Sequence, residues 1–387
     1  MHHYYFDHNA TTPVSMEVFR AMAPLMTETF GNASSIHGYG QRARMELDAA
    51  RRTIAAAIGA RAEEIVFTGG GTESDNTAIF GAGAKRLGEG HVIATAAEHP
   101  AVLHACAQLP SCTVVPVDGR GVVDPDGIRK ALQPDTRLIS VMHVNNELGV
   151  IQPAETITEI AKIAHDAGVL FHSDGVQALG KIPVNVREMG VDLYSVSAHK
   201  IYGPKGVGVL YVRKGTAFRP LLYGGPHETK KRAGTENVAG AVGFGRAAQW
   251  VMEESAAESD RVGALRDRLE RGILAKVSSA HVNGSGPNNA APRVANTSNI
   301  RFDGIDSEPL LISLDLEGFA VSSGSACSSG ATEPSHVLAA IGLTREQARS
   351  SVRFSLGRTN TAEQVDALIE CVAASVARLR KLAPAYV

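Results

Sequence analysis

The sequence predicts an α/β protein whose large domain contains a mainly parallel sheet and is joined to a smaller α+β domain. Three observations lead to this prediction. Short apolar runs alternate with helix-type patterns as far as about residue 258, a charged stretch then interrupts the alternation, and the remainder mixes a few strands with a long final helix. A chain of 387 residues, 44% hydrophobic and 20% charged, is long enough for two domains.

The strands of the large domain are predicted from short runs of apolar and β-branched residues. They fall at residues 65–67, 91–94, 113–115, 137–142, 168–171, 193–196 and 207–212. Helical patterns such as residues 153–167 lie between several of them, and this alternation favours parallel strands with crossover helices. No run of about 18 apolar residues occurs, so no membrane-spanning helix is expected.

The predicted domain boundary lies at the end of a long helical pattern, residues 240–258, whose last residues are charged. We therefore predict a large domain at 15–258 and a small domain made of 1–14 and 259–387. The elements predicted within the small domain are strands near 297–302 and 351–355 and a last helix from about 361 to 379.

Charge and cysteine usage exclude several classes of function. The net charge of −2 gives no basic surface for nucleic acid or for an anionic membrane. The four cysteines, Cys106, Cys112, Cys327 and Cys371, form neither a CxxC pair nor a disulfide framework, which suits reduced thiols. Residues 1–7 lack the basic and apolar regions of a signal peptide, so a cytoplasmic protein is expected.

The most informative segment, residues 195–206, contains Lys200 and follows a run predicted as an interior strand. Lysine is rarely buried without a partner. At a strand end, among hydroxyl groups and beside His199, it can lose its proton and attack carbonyl groups. Enzymes hold pyridoxal 5′-phosphate (PLP) by this chemistry. On this segment alone, a surface lysine in a turn is an equally good interpretation.

Two earlier loops contain residues that suit a phosphorylated aromatic cofactor. Residues 68–76 place Gly71 and Thr72 between a strand and a helix, where free backbone N–H groups could hold a phosphate. A plain tight turn explains these glycines at least as well. In the next loop, His99 could stack on a ring or transfer a proton, although a structural histidine is the commoner case.

Two further loops supply amides and a carboxylate. Asn145 and Asn146 could hydrogen-bond a ring hydroxyl. Asp174 follows a predicted buried strand, and a carboxylate that faces a pyridine nitrogen keeps it protonated and makes the ring an electron sink. Asp174 could instead cap a helix. Each loop has a structural explanation by itself, but their order before a strand-end lysine favours a PLP site.

Ordered motifs extend over nearly the whole chain. They are FDHNATTP at 6–13, FGNASSIH at 30–37, GTESDN at 71–76, EH at 98–99, NNE at 145–147, HK at 199–200, RAGTEN at 232–237, SSGSAC at 322–327 and VRFSLGR at 352–358. In these motifs the sequence resembles the NifS/IscS-type cysteine desulfurases of the class V aminotransferase group, which are fold-type I PLP enzymes. The resemblance implies that fold, PLP, L-cysteine as substrate and a homodimer with shared sites. One departure is Gly175, where relatives commonly have alanine.

The resemblance also assigns roles to individual residues. Lys200 would hold PLP covalently, His99 would stack on the ring and help proton transfer, and Asp174 would pair with the pyridine nitrogen. Arg353 would bind the substrate carboxylate as a bidentate fork, with Asn9 and Asn146 near the substrate. The other implied contacts are Gln177 and Asn146 at the phenolic oxygen and its surroundings, Gly71, Thr72, Ser197 and His199 at the phosphate, and Thr235 at the phosphate of the other subunit's cofactor.

Cys327 would be the sulfur acceptor, and its own segment supports this role. Residues 322–330 are small and polar, unlike a core segment, so we expect an accessible thiol. The other three cysteines lie in helix or strand patterns and are expected to be structural. Cys327 is also the one candidate metal ligand, as a transient iron–sulfur ligand through its persulfide.

The reaction that the resemblance implies begins when Lys200 removes the Cα proton of PLP-bound L-cysteine. The Cys327 thiolate then attacks the substrate sulfur, alanine is released, and the resulting persulfide passes to an acceptor such as an iron–sulfur scaffold. Two alternatives remain open. One is a selenocysteine lyase or another class V aminotransferase-like enzyme, which would not need Cys327. The other is a non-enzymatic protein of the same fold.

Overall fold

A computed structural model describes residues 3–284, 292–323 and 334–382. Its helices are α1 (Met16–Thr27), α2 (Gly38–Ala57), α3 (Gly71–Gly81), α4 (Pro100–Cys106), α5 (Pro125–Ala131), α6 (Ala154–Asp166), α7 (Val238–Lys276), α8 (Ser307–Leu316), α9 (His336–Ala340), α10 (Arg345–Arg349) and α11 (Ala362–Leu382). Its strands are β1 (Tyr4–Tyr5), β2 (Ile65–Thr68), β3 (His91–Thr95), β4 (Cys112–Val115), β5 (Thr136–Ser140), β6 (Leu170–Asp174), β7 (Leu193–Ser197), β8 (Gly208–Val212), β9 (Ala280–Val282), β10 (Thr297–Phe302), β11 (Phe319–Ala320) and β12 (Ser351–Ser355). None of these helices is long and apolar enough to span a membrane.

The large sheet has seven strands in the order β2-β8-β7-β6-β5-β3-β4. Strand β8 is antiparallel to both of its neighbours, and every other pair is parallel. The predicted mainly parallel sheet is therefore confirmed, and each predicted apolar run lies in one of its strands, with bounds that differ by a few residues. All residues of β7 and β8 are buried, because elements cover both faces of the sheet.

Helix α7 extends much further than the pattern at 240–258 predicts, as far as Lys276. The acidic stretch at 253–260 lies mostly on the exposed side of this helix, so it does not end it. The helix packs on the core of the large sheet as far as Val251 and on a second core from Val262 onward. The division predicted at residue 258 falls between these two contacts, inside a continuous helix, and stays a prediction.

The second core lies among helices α7, α8 and α11 and the three-stranded antiparallel sheet β12-β10-β9. Strand β1 pairs with β11, and Phe6 is buried in this core. The chain then reaches the large sheet, where Thr12 donates its backbone N–H to the carbonyl of His199 at 2.9 Å. Residues 6–12 therefore contact both cores, and this short segment forms part of the site described next.

Candidate active site

Loops at the carboxyl ends of the parallel strands surround a cavity with an empty volume of about 890 Å³. The predicted residues that line it are Asn9, Gly71, Thr72, His99, Asn146, Asp174, Gln177, Ser197, His199, Lys200 and Arg353. Asn9 and Arg353 lie near opposite ends of the sequence, and the fold brings them to one space because β10 and β12 stand beside the N-terminal segment.

Lys200 ends a short 3-10 turn, Ala198–Lys200, directly after β7. Its Nζ donates hydrogen bonds to the backbone carbonyls of Asn9 at 2.5 Å and Ala10 at 2.8 Å. Both acceptors are uncharged, so these two bonds orient the amine by geometry rather than by an ion pair. The lysine is half-buried in the cavity wall, and the interpretation as a surface lysine in a turn is wrong.

Asp174 is buried at the carboxyl end of β6 and lines the cavity. Its Oδ1 accepts the backbone N–H of Val176 at 2.9 Å, so a local turn contact accounts for one carboxylate oxygen. Burial raises the pKa of this carboxyl to about 6, although the bond from Val176 and the charge of Lys200 lower it. A protonated ring nitrogen beside Asp174 would lower this pKa further and keep the carboxylate ionised.

Two buried acids near Asp174 were not predicted from the sequence. Asp75 also lines the cavity, and burial followed by the charge of Asp174 raises its pKa well above the ordinary value. Burial raises the pKa of Glu98 to about 8. The pKa of Glu98 therefore favours its neutral form at neutral pH, whereas that of Asp174 allows ionisation. A signal for Asp75 was its place one helical turn after Gly71, at the start of α3.

His99 precedes α4 as its capping residue, and its Nδ1 accepts the backbone N–H of Ala101 at 3.1 Å. Because Nδ1 accepts, the neutral ring carries its proton on Nε2. Burial, and then the charge of Lys200, lowers the pKa of His99 to about 4, so the ring is neutral at physiological pH. His99 therefore both caps α4 and lines the cavity.

The N-terminus of α3 lies at one corner of the cavity, together with Thr72 and His199, and the free N–H groups of a helix N-terminus favour anions. A Cβ on Gly71 would lie 2.8 Å from a methyl group of Val176, so any side chain at position 71 would displace Val176. The Oγ of Ser197 is buried and makes no hydrogen bond to any residue that the structure describes. An unsatisfied hydroxyl beside the free N–H groups of a helix end fits a phosphate group, which accepts from both.

Arg353 lies in β12 and is almost fully buried on the small-domain side of the cavity. Its Nη2 pairs with Asp7 at 2.7 Å, and its Nη1 donates to the backbone carbonyl of Asn146 at 3.0 Å. The Nδ2 of Asn9 donates to the same carbonyl at 3.1 Å. A carboxylate ligand at this end of the cavity would share the guanidinium with Asp7.

Comparison with known proteins decides the family of this chain. The sequence profile of the class-V aminotransferases matches residues 4–368. The chain belongs to that family. A protein of Dictyoglomus turgidum named cysteine desulfurase IscS is 48% identical over 385 residues, covering 98% of this chain and 96% of the relative. A protein of Azotobacter vinelandii named cysteine desulfurase NifS is 46% identical over 385 residues, covering 98% and 94%.

Solved structures agree with this membership. A structure titled NIFS-like protein matches with a TM-score of 0.87 at 36% identity, over 97% of this chain and 100% of that one. A NifS-like protein of Rickettsia africae matches with a TM-score of 0.86 at 32% identity, over 97% and 99%. The predicted fold-type I architecture is confirmed, and this class-V aminotransferase is a PLP-dependent enzyme.

Of the two remaining site residues implied by the resemblance for this class-V aminotransferase, the structure describes one, which does not line the cavity. Thr235 is exposed on the segment before α7, and Cys327 lies outside the described residues. Cys106 is buried, and Cys112 and Cys371 are half-buried away from the cavity. Within the described ranges, no group of three or more His, Cys, Asp or Glu side chains is arranged to hold a metal ion. The suggested iron ligand, Cys327, falls outside those ranges.

The departure at Gly175 is explained by its contact with Tyr194. A Cβ on Gly175 would lie 1.9 Å from the ring of this fully buried tyrosine. The Tyr194 hydroxyl is 2.8 Å from Nδ1 of His143, which keeps the ring in place. Alanine after Asp174 therefore does not fit together with this tyrosine, and glycine leaves room for the ring in the turn that follows Asp174.

Proposed function

We propose that this class-V aminotransferase is a cysteine desulfurase, which releases alanine from L-cysteine and keeps the sulfur as a persulfide on Cys327. The observation that carries the proposal is a single cavity faced by Lys200, Asp174 and Arg353, which come from separate parts of the fold. The full-length relatives that are named cysteine desulfurases support L-cysteine as the substrate.

The cavity residues fit PLP group by group. We assign covalent attachment to Lys200, stacking to His99 and the ring nitrogen to Asp174. When bound, PLP supplies an electron sink for the electron pair left at the substrate Cα. The remaining assigned contacts are Gln177 and Asn146 at the phenolic oxygen and its surroundings, and Gly71, Thr72, Ser197 and His199 at the phosphate.

The protonation states of the site residues suit this chemistry. Asp174 would provide a negative charge for the ring nitrogen, because burial and neighbouring charge raise the pKa of Asp75 and Glu98 and disfavour their ionised forms. His99 is neutral and presents an oriented Nε2–H group. Lys200, held by the carbonyls of the N-terminal segment, is placed to take the Cα proton once its amine is released. Arg353 fixes the substrate carboxylate at the other end of the cavity.

The segment that contains Cys327 is attached to the cavity wall on both sides. Before it, Ser322 and Arg353 exchange backbone hydrogen bonds of 3.2 and 2.6 Å. After it, the Ser335 hydroxyl donates to Oε2 of Glu147 at 2.5 Å, and Glu147 lines the cavity. These attachments support the proposal that the Cys327 thiol reaches a substrate bound at Arg353.

In the proposed transfer, the Cys327 thiolate bonds to the substrate sulfur and the bond from that sulfur to Cβ breaks. The electron pair of the broken bond stays with the carbon skeleton, which is protonated and leaves as alanine. Cys327 keeps the persulfide and passes its sulfur to an acceptor, for which we propose an iron–sulfur scaffold. Free cysteines suit a reducing compartment, and we propose the cytoplasm as the location.

We also propose a homodimer with shared sites. Large exposed apolar side chains are frequent between Met16 and Met45, and Ile36 in this stretch is 92% exposed. Such surface is commonly covered by a partner. Thr235 is exposed and does not line its own cavity, which agrees with a contact to the phosphate in the other subunit. A monomer mass by light scattering at micromolar concentration would contradict the dimer.

The test of the proposed function is to give L-cysteine and a thiol reductant to the purified PLP-loaded protein and to quantify alanine and sulfide. Equal amounts of both are expected. Cys327→Ser should keep the visible absorption of bound PLP but lose alanine release and persulfide labelling, whereas the matched control Cys371→Ser should keep all three. Alanine release by Cys327→Ser at the wild-type rate would exclude the persulfide route and favour a lyase-type enzyme.

A further inference from the structure

A second half-buried lysine, Lys181, contacts the site without lining its cavity. It lies instead beside a neighbouring cavity of about 480 Å³ empty volume, which it shares with His8 and Lys200. Burial, followed by the charges of Lys200 and Arg353, lowers the pKa of Lys181 well below the ordinary value. Removing a lysine amine from water costs free energy unless hydrogen bonds within the protein compensate for the lost hydration.

The hydrogen bonds of Lys181 go to two side-chain amides of the site. Its Nζ donates to Oδ1 of Asn9 at 2.7 Å and to Oε1 of Gln177. Gln177 in turn donates through Nε2 to the backbone carbonyl of Asn9 at 2.9 Å. A protonated or neutral lysine amine donates to such oxygens, so Lys181 draws both amide oxygens toward itself and leaves each NH₂ group for other acceptors.

Asn9 connects this arrangement to Lys200. Its backbone carbonyl accepts from Lys200 as well as from Gln177. Its Nδ2 donates to the backbone carbonyl of Asn146 at 3.1 Å and to Oγ1 of Thr297 at 2.8 Å. A reversed Asn9 amide would place its NH₂ group against the Lys181 amine and lose these bonds. Lys181 and the Nδ2 of Asn296, which donates to the same Oδ1 at 3.0 Å, therefore fix the orientation of the Asn9 amide together.

We propose that Lys181 is a positioning residue for the reaction: it orients the amides of Asn9 and Gln177, and through them the Lys200 amine and the NH₂ donor assigned to the phenolic oxygen of PLP. The proposal rests on the assignment of PLP to this site but does not require that cysteine is the substrate.

Lys181→Met removes the donor and keeps an unbranched side chain of similar length. A phenolic oxygen that loses an oriented donor becomes more basic, and the loss of any positive charge near Lys200 favours protonation of its link to PLP. Both effects raise the pKa of the link between Lys200 and PLP. The pH midpoint of the visible absorption change of the bound cofactor should therefore rise by about one unit, and PLP should bind about tenfold more weakly.

Several groups around Lys181 are charged or titratable and have to be considered in this pH profile. They are Lys200, Arg353 and His8, which interact with Lys181 electrostatically, and Glu258 in the wall of the shared cavity. A second cavity beside Lys181 is lined by four more charged residues, Asp260, Arg266, Asp267 and Arg293. Burial and the charge of Lys181 lower the pKa of His8 to about 4, so His8 stays neutral over the range in which the cofactor absorption is followed.

The experiment measures the absorption midpoint and the PLP dissociation constant of wild type, Lys181→Met and the control Lys162→Met, whose lysine is exposed on α6. The control should match wild type. In a Gln177→Leu background, Lys181→Met should shift the midpoint by less than half as much, because one oriented amide is already absent. An equal shift in both backgrounds would contradict transmission through Gln177.

A folded Lys181→Met protein with the wild-type midpoint and PLP affinity overturns the proposal. If this variant does not fold, Lys181→Gln replaces it, because glutamine keeps an NH₂ donor for one amide oxygen; a smaller upward shift is expected, and an unchanged midpoint again overturns the proposal. A shifted midpoint in a protein that releases no alanine would support the role of Lys181 while refuting only the desulfurase assignment.

Discussion

The site has an acidic side and a basic side, and burial affects them in opposite directions. The acids, Asp75, Glu98 and Asp174, lie near the carboxyl ends of the parallel strands, and the basic residues, Lys181, Lys200 and Arg353, contact the N-terminal segment. Burial raises the pKa of each of the three acids and lowers that of Lys181, because the charged form of either type loses hydration.

The difference between the two sides lies in what their groups bind. On the acidic side, neighbouring carboxyls suppress each other's ionisation, so most of the charge rests on Asp174. On the basic side, the lysine amines bind backbone carbonyls and side-chain amides, which orient them without adding negative charge. The position assigned to the PLP ring therefore has the ionisable Asp174 on one side and the oriented Lys200 amine on the other.

The largest effect is expected at the basic side from Lys200→Ala, which should abolish alanine release because Lys200 is the lysine that lines the cavity. Borohydride reduction of the wild-type protein followed by peptide mapping should place PLP on Lys200. Lys162→Ala, a change on the exposed face of α6, is the control and should keep full activity. Finding the adduct on Lys181 or Lys205 would reverse the roles given to these lysines.

On the acidic side, Asp174→Asn should lower the rate of alanine release about 10³-fold, while much of the PLP remains bound. A charge interaction of about 4 kcal/mol at short range in a partly screened site corresponds to a factor of this size. The measurement is kcat under saturating PLP and L-cysteine. A loss below tenfold would mean that Asp174 acts mainly through its turn contact with Val176 rather than on the ring.

Glu98 should make the unfolding free energy depend on pH. Its pKa is raised from an ordinary value of 4.5 to about 8 by burial, so its stabilising contribution is complete below pH 4.5 and is lost as the pH rises toward 8. Glu98→Gln cannot titrate. The unfolding free energy of wild type relative to this variant should fall across that window by roughly 1.4 kcal/mol per pH unit. If denaturant unfolding gave parallel pH profiles for wild type and Glu98→Gln, Glu98 would be ionised in the folded protein.

The smallest effect is expected from Asp75→Asn, within about threefold of the wild-type kcat. The raised pKa of Asp75 favours the neutral acid, and asparagine is neutral and nearly the same shape. This variant is the matched comparison for Asp174→Asn, since both replace a buried carboxyl in the same cavity wall. Equal losses in the two variants would show that the charge is shared between the acids rather than held at Asp174.

The strands and most of the cavity residues could be predicted because each occurs in a local pattern. The run before Lys200 and the glycines around Gly71 each give a local signal, and the ordered motifs gave the family. Asp75 and Glu98 escaped prediction because their importance depends on burial and on their distance from Asp174, which separate segments of the chain determine. The length of α7 escaped because an exposed acidic stretch is compatible with both a linker and a helix surface.

The sequence by itself determined the α/β alternation and predicted the lysine, aspartate and histidine that line the cavity, because periodicity and residue chemistry are local properties. The role of Cys327 stays a prediction. Only the tertiary structure decided that Asn9 receives bonds from both Lys181 and Lys200 and that Tyr194 occupies the space beside Gly175. These contacts join residues far apart in the chain. Packing distances and the loss of hydration, on which hydrogen-bond partners and pKa values depend, arise only when such residues meet.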